Sequence, residues 1–157
     1  NGNKAPVMSL EGTSWVAVGT PGLSAGTAEY TSLSIYNGTP YIAYRDTNSS
    51  LAATVMSFNG TSWVPVGNPD FSAGRADNVR LVINNGIPYV AYQDWAYGTK
   101  VTVMSFEGTS WVPVGIPGFS AGSINYPSLS VDNNGIPYVA YADGVNGGRA
   151  TVMKHVP

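Results

Sequence analysis

Cysteine is absent from the 157 residues of this chain, and charged side chains are scarce. Without a thiol, the chain can form neither a disulfide framework nor a thiolate metal site. Charged residues make up only 10% of the chain, whereas ordinary soluble domains carry about 25%. The formal net charge of −2 gives no electrostatic reason to expect nucleic acid or an anionic membrane as a partner.

Long apolar runs are also missing, because no stretch approaches the ~20 apolar residues of a membrane span. The sequence shows no secretory signal and does not begin with Met. From this we expect a processed, excised or engineered chain, and a secreted one if it is natural. What the chain does have is glycine and proline, at 19 and 11 residues, and both residue types mark turns.

The sequence repeats itself with a period of 48 to 49 residues. Gly-Thr-Ser-Trp-Val and Pro-Tyr-(Val/Ile)-Ala-Tyr each occur three times, with the tryptophan at Trp15, Trp63 and Trp111 and the last tyrosine at Tyr44, Tyr92 and Tyr141. A period in this range, combined with short strand signals, is typical of a β-propeller or a similar repeat array.

One repeat reads as four short strands joined by tight turns. In the middle unit the strands are predicted at 80–84, 88–92, 101–106 and 111–114. Asn85-Gly86 between the first two strands is a strong hairpin signal, because both residues tolerate positive φ. A longer Gly/Pro/Ser-rich link at 115–127 then leads to the next unit. The pattern predicts antiparallel four-stranded blades.

The predicted strands are apolar or aromatic on both faces, as expected for sheets that are covered on both sides. A β-sandwich or a β-solenoid is the alternative, but a sandwich does not explain the repeat and a solenoid rung is usually shorter. We therefore predict an all-β propeller over 1–157 with about three blades per chain.

The predicted blades do not fill a ring. Residues 32–67 and 80–115 form two complete blades, whereas 128–155 lacks its fourth strand. Ring-closed propellers need at least four blades, so we expect the chain to associate with itself. A six-bladed homodimer is favoured over a nine-bladed trimer, with residues 13–19 of a neighbouring chain completing the 128–155 blade. Strands 6–10 and 150–154 then duplicate one another, and one copy is displaced.

The turn before each repeated tryptophan reads Ser-x-(Glu/Asn)-Gly-Thr-Ser-Trp, at 9–15, 57–63 and 105–111. This turn resembles the Asp box of sialidases and related propellers, Ser-x-Asp-x-Gly-x-Thr-Trp, which lies between the third and fourth strands of a blade. The resemblance implies blade structure rather than activity. A sialidase would also need three clustered arginines, and no pattern brings together three of Arg45, Arg75, Arg80 and Arg149.

Sequence variation between the repeats gathers in the turn after the second strand and at the end of the link between blades. Both segments are expected on one face of the propeller, where binding sites usually lie. The candidate ligand-binding residues on that face are Tyr30, Arg45, Asp46, Asn78, Asp94, Trp95, Tyr97, Tyr126 and Asp143.

Several of these residues also have a structural interpretation. Asp46, Asp94 and Asp143 each open a turn, where an Asx turn is the favoured alternative to a ligand contact. Trp95 and Tyr97 could stack on a sugar ring or lie over a neighbouring blade. Arg75 and Arg80 flank Asp77, where we expect a local ion pair of little energetic worth. The three repeated tryptophans are interpreted as blade packing.

No acid–base cluster, phosphate loop or metal-ligand spacing stands out in the sequence. We therefore expect a chain that is not an enzyme and uses no metal or cofactor. The predicted function is a non-catalytic, self-assembling propeller scaffold. The alternative is a multivalent, lectin-like carbohydrate-binding propeller.

Overall fold

The computed structural model describes residues 2–156, which form consecutive antiparallel β-sheets of two, four, four and three strands. Two short 3-10 segments follow the second strands of the last two sheets, and no helix in the described chain is long and apolar enough to span a membrane. The four-stranded sheets resemble propeller blades, and we number the four sheets as blades 1–4.

Each blade is a meander of strands that are adjacent in sequence. Blade 1 consists of β1 (Met8–Glu11) and β2 (Ser14–Ala17), and blade 2 of β3 (Ala28–Tyr36), β4 (Thr39–Asp46), β5 (Ala53–Phe58) and β6 (Trp63–Pro65). Blade 3 consists of β7 (Ala76–Asn84), β8 (Ile87–Asp94), β9 (Lys100–Glu107) and β10 (Ser110–Pro113). Blade 4 consists of β11 (Ile124–Val131), β12 (Pro137–Asp143) and β13 (Arg149–Lys154).

The predicted hairpin between the first two strands of a blade is present in blades 2 and 3. Asn85 and Gly86 have φ values of 49° and 80°, and the equivalent Asn37 and Gly38 have values of 47° and 76°. Positive φ at both central residues is the signature of a type I′ turn, whose twist matches that of the flanking strands. The prediction of these two hairpins from their Asn-Gly sequences is therefore confirmed.

The first strand of each of blades 2–4 begins four residues earlier than predicted, at Ala28, Ala76 and Ile124 instead of 32, 80 and 128. Pairing continues past a break in register between residues 29 and 32, and the same break occurs at 77–80 and 125–128. This is a β-bulge, in which two residues oppose one. The sequence prediction assigned the residues up to and including the bulge to the link between blades.

The hydrophobic core lies between successive blades. The first strands β3, β7 and β11 are neighbours, and residues of adjacent blades interleave between them. The second strands β4 and β8 are buried on both faces over most of their length. This burial explains why their sequences do not alternate between apolar and polar residues.

In blades 2 and 3 the tryptophan of the fourth strand joins the blade to the preceding one. Trp63 Nε1 donates to the carbonyl oxygen of Val18 at 2.9 Å, and Trp111 Nε1 donates to that of Val66 at 2.8 Å. The Trp111 ring also stacks on Phe71, with ring centroids 4.1 Å apart. The prediction that these two tryptophans serve blade packing is confirmed. Trp15 of blade 1, in contrast, is 66% exposed.

Candidate functional site

The turns after the second strands and the ends of the inter-blade links lie on one face, as the sequence predicts. The Thr47 amide donates to the Thr27 carbonyl at 3.1 Å, and the Trp95 amide donates to the Arg75 carbonyl at 3.1 Å. The equivalent bond in blade 4 joins Gly144 to Ser123 at 2.9 Å. These bonds hold both variable segments at the same end of each blade, and we call this end the variable face.

Arg45 connects blades 2 and 3 at the variable face. Its guanidinium is buried, and it donates to the Glu29 carboxylate from Nε at 2.9 Å and also from the second terminal nitrogen. The remaining terminal nitrogen pairs with Asp77, which belongs to the next blade. A guanidinium suits this position because its donors are arranged in a rigid planar fork.

Asp77 is the centre of this group of side chains. It is buried, and besides Arg45 it accepts hydrogen bonds from Arg75 at 2.8–3.1 Å and from the indole Nε1 of Trp95 at 3.0 Å. Two guanidinium groups thus compensate two carboxylates when Glu29 is included. The group carries no net formal charge, and its buried carboxylate is fully hydrogen-bonded.

Two aromatic rings flank the charged side chains. The guanidinium of Arg45 lies 4.7 Å from the ring centroid of Tyr30, and that of Arg75 lies 4.1 Å from the ring of Trp95. These cation–π contacts hold each ring in a defined orientation. Both rings remain partly exposed. We call this set the inter-blade cluster, and its members are Glu29, Tyr30, Arg45, Arg75, Asp77 and Trp95.

Tyr30 stands at the bulge of its strand, with φ at 53°. The equivalent bulge residues Asn78 and Tyr126 have φ values of 53° and 51°. A residue other than glycine in this left-handed region costs of the order of 1–2 kcal/mol, and such strain concentrates at functional sites. The strained backbone is present in three blades, and it presents a tyrosine in two of them and an asparagine in the third.

The structure brings together three of the predicted site residues, Tyr30, Arg45 and Trp95. Sequence reasoning missed Glu29 and treated Arg75 and Asp77 as a minor local pair. Arg75 does pair with Asp77, but Arg80 donates instead to the Val79 carbonyl at 2.8 Å. Alignment of the repeats held a signal for the missed residues, because Glu29 and Asp77 are 48 positions apart.

The three turn-opening aspartates are structural. Asp46, Asp94 and Asp143 are buried, and each accepts a hydrogen bond from the amide two residues on, at 2.8, 3.0 and 3.1 Å. Asp94 and Asp143 also accept from the hydroxyls of Thr102 and Thr151. This is the Asx turn that the sequence favoured. The aspartates shape the turns, and their role in ligand binding stays a prediction.

The remaining candidates lie outside the inter-blade cluster. Tyr97 packs over Gly118 of the following link, where a β-carbon would lie 2.6 Å from that of the tyrosine. The Asn78 side chain donates to Gln93 at 3.4 Å. Tyr126 is largely exposed on blade 4. Their roles in binding stay predictions.

Two buried tyrosines beneath the variable face are held protonated. Burial raises the pKa of Tyr44 and of Tyr92, and the carboxylates of Asp46 and Asp94 raise it further. A phenol in this condition is a poor proton donor to a substrate near neutral pH. Both phenols therefore stay protonated near neutral pH.

No family model and no curated protein matches this chain. Among solved structures, the chain is similar to the Bacteroides ovatus xyloglucan PUL protein GH43B, with 16% identity, 96% of this chain and 33% of the other covered, and a TM-score of 0.54. It is also similar to a PL25 ulvan lyase, with 14% identity, coverages of 79% and 34%, and a TM-score of 0.54. An exo-β-1,3-galactanase from Clostridium thermocellum has 10% identity, coverages of 83% and 34%, and a TM-score of 0.53.

The family-43 glycoside hydrolases are five-bladed β-propellers, and this chain spans about a third of the length of the three proteins just named. At 10–16% identity the likeness concerns the fold. It still overturns one prediction. The expectation that the chain is not an enzyme is wrong, because the proteins that share its fold are carbohydrate-active enzymes. Lack of a recognisable acid–base pair in one sequence was insufficient ground for it.

Proposed function

We propose that this chain binds carbohydrate as part of a carbohydrate-active β-propeller, and that the inter-blade cluster contacts the saccharide. The observation that carries the proposal is the pairing of two oriented, partly exposed aromatic rings with a rigid set of carboxylates and guanidiniums. A sugar ring has apolar C–H faces, which suit aromatic rings. Its hydroxyl edges suit fixed charged hydrogen-bonding groups.

The charge balance of the cluster favours an uncharged saccharide. Arg45 already pairs with Glu29 and Asp77, and Arg75 pairs with Asp77. A carboxylate or sulfate on the ligand would therefore find both guanidiniums compensated. Hydroxyl groups, in contrast, can donate hydrogen bonds to the remaining oxygen lone pairs of the Glu29 carboxylate, whose side chain is 41% exposed.

Trp95 is the residue whose removal tests the site. We expect Trp95→Ala to weaken binding of a neutral oligosaccharide about 10-fold, or about 1.4 kcal/mol, because the ring provides the stacking surface. Isothermal titration with fragments of xyloglucan and β-1,3-galactan measures the affinity, and an ulvan fragment is the anionic comparison. Trp15→Ala is the matched control, since Trp15 is also exposed but lies in β2 of blade 1.

Glu29→Gln is a second variant that tests the same site, because it keeps the shape of the side chain and removes its charge. Release of reducing ends from each oligosaccharide, measured with the wild type and with this variant, reports cleavage at the bound glycosidic bond. The proposal fails if no neutral fragment binds with a dissociation constant below about 10 mM. It also fails if Trp95→Ala binds as tightly as the wild type.

A further inference from the structure

The fourth-strand tryptophan fits a slot whose parts repeat along the chain. For Trp111 the slot consists of the Val66 carbonyl, which accepts from the indole, the Phe71 ring, which stacks on it, and Gly67. A β-carbon on Gly67 would lie 2.6 Å from the Phe106 ring and 3.3 Å from Cδ1 of Trp111, so the absence of a side chain there admits both rings. The Trp111 slot thus consists of a carbonyl, a glycine and a ring, and in the Trp63 slot Leu23 stands in place of the ring.

The next copy of this slot is open. Val114, Gly115 and Phe119 stand 48 residues after Val66, Gly67 and Phe71. They line a groove of about 210 Å³ together with β12 and β13. We call it the β13 groove. His155 lies where Phe106 lies in blade 3, because its ring is 3.2 Å from the position of a β-carbon on Gly115.

The chain contains an exposed tryptophan ring that matches the β13 groove. Trp15 has the same flanking sequence as Trp63 and Trp111, yet its ring is 66% exposed. Exposure of such a large ring leaves its burial free energy unused. The slot and the ring that fits it thus occur at opposite ends of the described blades, in β13 and β2.

The segment that leads into β1 and the strand β13 have similar sequences and can take the same place beside blade 2. β1 follows Ala5-Pro6-Val7, and β13 contains Ala150-Thr151-Val152, each continued by a methionine. Ala5 and Val7 pack against Ile42 and Tyr44 of blade 2. Val152 is 66% exposed in blade 4. β13 of another copy could therefore replace β1 on blade 2 with the same alanine and valine contacts.

We propose that two copies of this chain exchange strands, so that β2 of one copy pairs with the outer edge of β13 of the other. The Trp15 ring then enters the β13 groove, its Nε1 donates to the Val114 carbonyl, and its ring stacks on Phe119. β13 takes the place of β1, which is displaced. By analogy with Phe58 opposite Trp63 in blade 2, His155 pairs with Trp15.

The exchange buries more apolar surface and uses only kinds of contact that already occur within one chain. The contacts of Ala5 and Val7 are replaced by equivalent ones, whereas Trp15 and Val152 move from solvent into an interface. It also pairs the outer edge of β13, and unpaired edges of this kind favour association. Blade 4 of each copy and β2 of the other copy then form one composite four-stranded blade, so two composite blades and the four complete blades make a ring of six.

The mass in solution tests the exchange. Sedimentation of the wild-type chain at about 100 µM should give about 33 kDa, twice the 16.4 kDa of one chain. Trp15→Ala should raise the dissociation constant at least about 100-fold, because a closed pair buries this tryptophan twice. Trp95→Ala is the matched control, and it should sediment as the wild type.

A groove variant separates the two sides of the contact. Ile116 lines the β13 groove and is exposed, so Ile116→Glu should place a charge in the groove without disturbing the core. This variant alone should be monomeric. Mixed in equal amounts with Trp15→Ala, it should recover a dimer, since one intact strand then meets one intact groove. Circular dichroism of each variant verifies its fold.

A chain in which a copy of Glu107–Val114 follows His155 directly, in place of Val156 and Pro157, completes the test, because it keeps the five-residue spacing between Phe106 and Trp111. The added strand should fill the β13 groove from within the same chain and yield a monomer. The proposal is overturned if the wild type is monomeric at about 100 µM. It is equally overturned if Trp15→Ala or the extended chain dimerises as tightly as the wild type. A 49 kDa species that requires Trp15, three times the chain mass, would support the exchange in a trimer.

Discussion

The same pentapeptide, Gly-Thr-Ser-Trp-Val, has two different environments in this molecule. In blades 2 and 3 its tryptophan is bonded and packed against the end of the preceding blade, whereas in blade 1 the ring is exposed. Because the local sequence is identical, the neighbouring blade causes the difference. Each repeat therefore encodes one half of an interface, and its contribution to stability depends on the other half.

The largest expected effect separates these two environments directly. Trp111→Ala should lower the free energy of unfolding by about 3 kcal/mol, because it removes a stacked ring and leaves a cavity. Trp15→Ala should cost less than about 0.5 kcal/mol at concentrations where the chain is monomeric. Guanidinium denaturation of both variants measures the difference. Equal losses would show that the packed and exposed copies are energetically alike.

The next effect compares the two junctions on either side of blade 3. Arg45 joins blades 2 and 3 through a buried charge pair, whereas Gln93 joins blades 3 and 4 by donating to the Ile124 carbonyl. Arg45→Met should cost about 2 kcal/mol, since it leaves Asp77 buried with Arg75 and Trp95 as its remaining partners. Gln93→Met should cost about 1 kcal/mol.

The same denaturation experiment ranks these two junctions. A larger loss for Gln93→Met than for Arg45→Met would contradict the assignment of the charged junction as the stronger one. Asp77→Asn is a useful control for the pair, because it keeps the shape of the carboxylate and weakens all its charged contacts together.

The smallest effect concerns the tyrosine that ends the repeated second-strand motif. Burial raises the pKa of Tyr44 and Tyr92 above the ordinary 10.0. Both phenols keep their proton in the folded state above pH 10, whereas the unfolded chain releases it. Stability should therefore fall as pH rises above 10.

Each buried tyrosine should contribute about 0.8 kcal/mol to this loss between about pH 9 and about pH 10.5. Tyr44→Phe and Tyr92→Phe should each reduce the alkaline slope by this amount, and urea midpoints over the pH range measure it. A slope that neither substitution changes would mean that these phenols ionise alike in the folded and unfolded chain.

Much of the fold follows from local signals in the sequence. Asn37-Gly38 and Asn85-Gly86 specify their turns through backbone conformation alone, so neighbouring strands are predictable from adjacent residues. The aspartates that open the turns are equally local, because an Asx turn spans only a few residues. The repeat supplied the rest of the blade pattern.

The inter-blade cluster was harder to predict because its contacts are not local. Arg45 and Asp77 are 32 residues apart and lie in different blades, and no periodic pattern requires their meeting. The bulge at Tyr30 was also missed, since positive φ is unusual for tyrosine and gives no sequence signal. Comparison of the three repeats places Glu29 and Asp77 at the same position of the repeat, but it does not show that both carboxylates pair with Arg45.

The recurring bulge has a consequence for how this face can change over time. In three blades it holds one residue per strand in the same left-handed conformation, whether that residue is Tyr30, Asn78 or Tyr126. The scaffold thus tolerates both an aromatic and an amide side chain there without altering its hydrogen-bonded ladder. Single replacements at this position, one blade at a time, can therefore change the chemistry of the variable face while the strands keep their pairing.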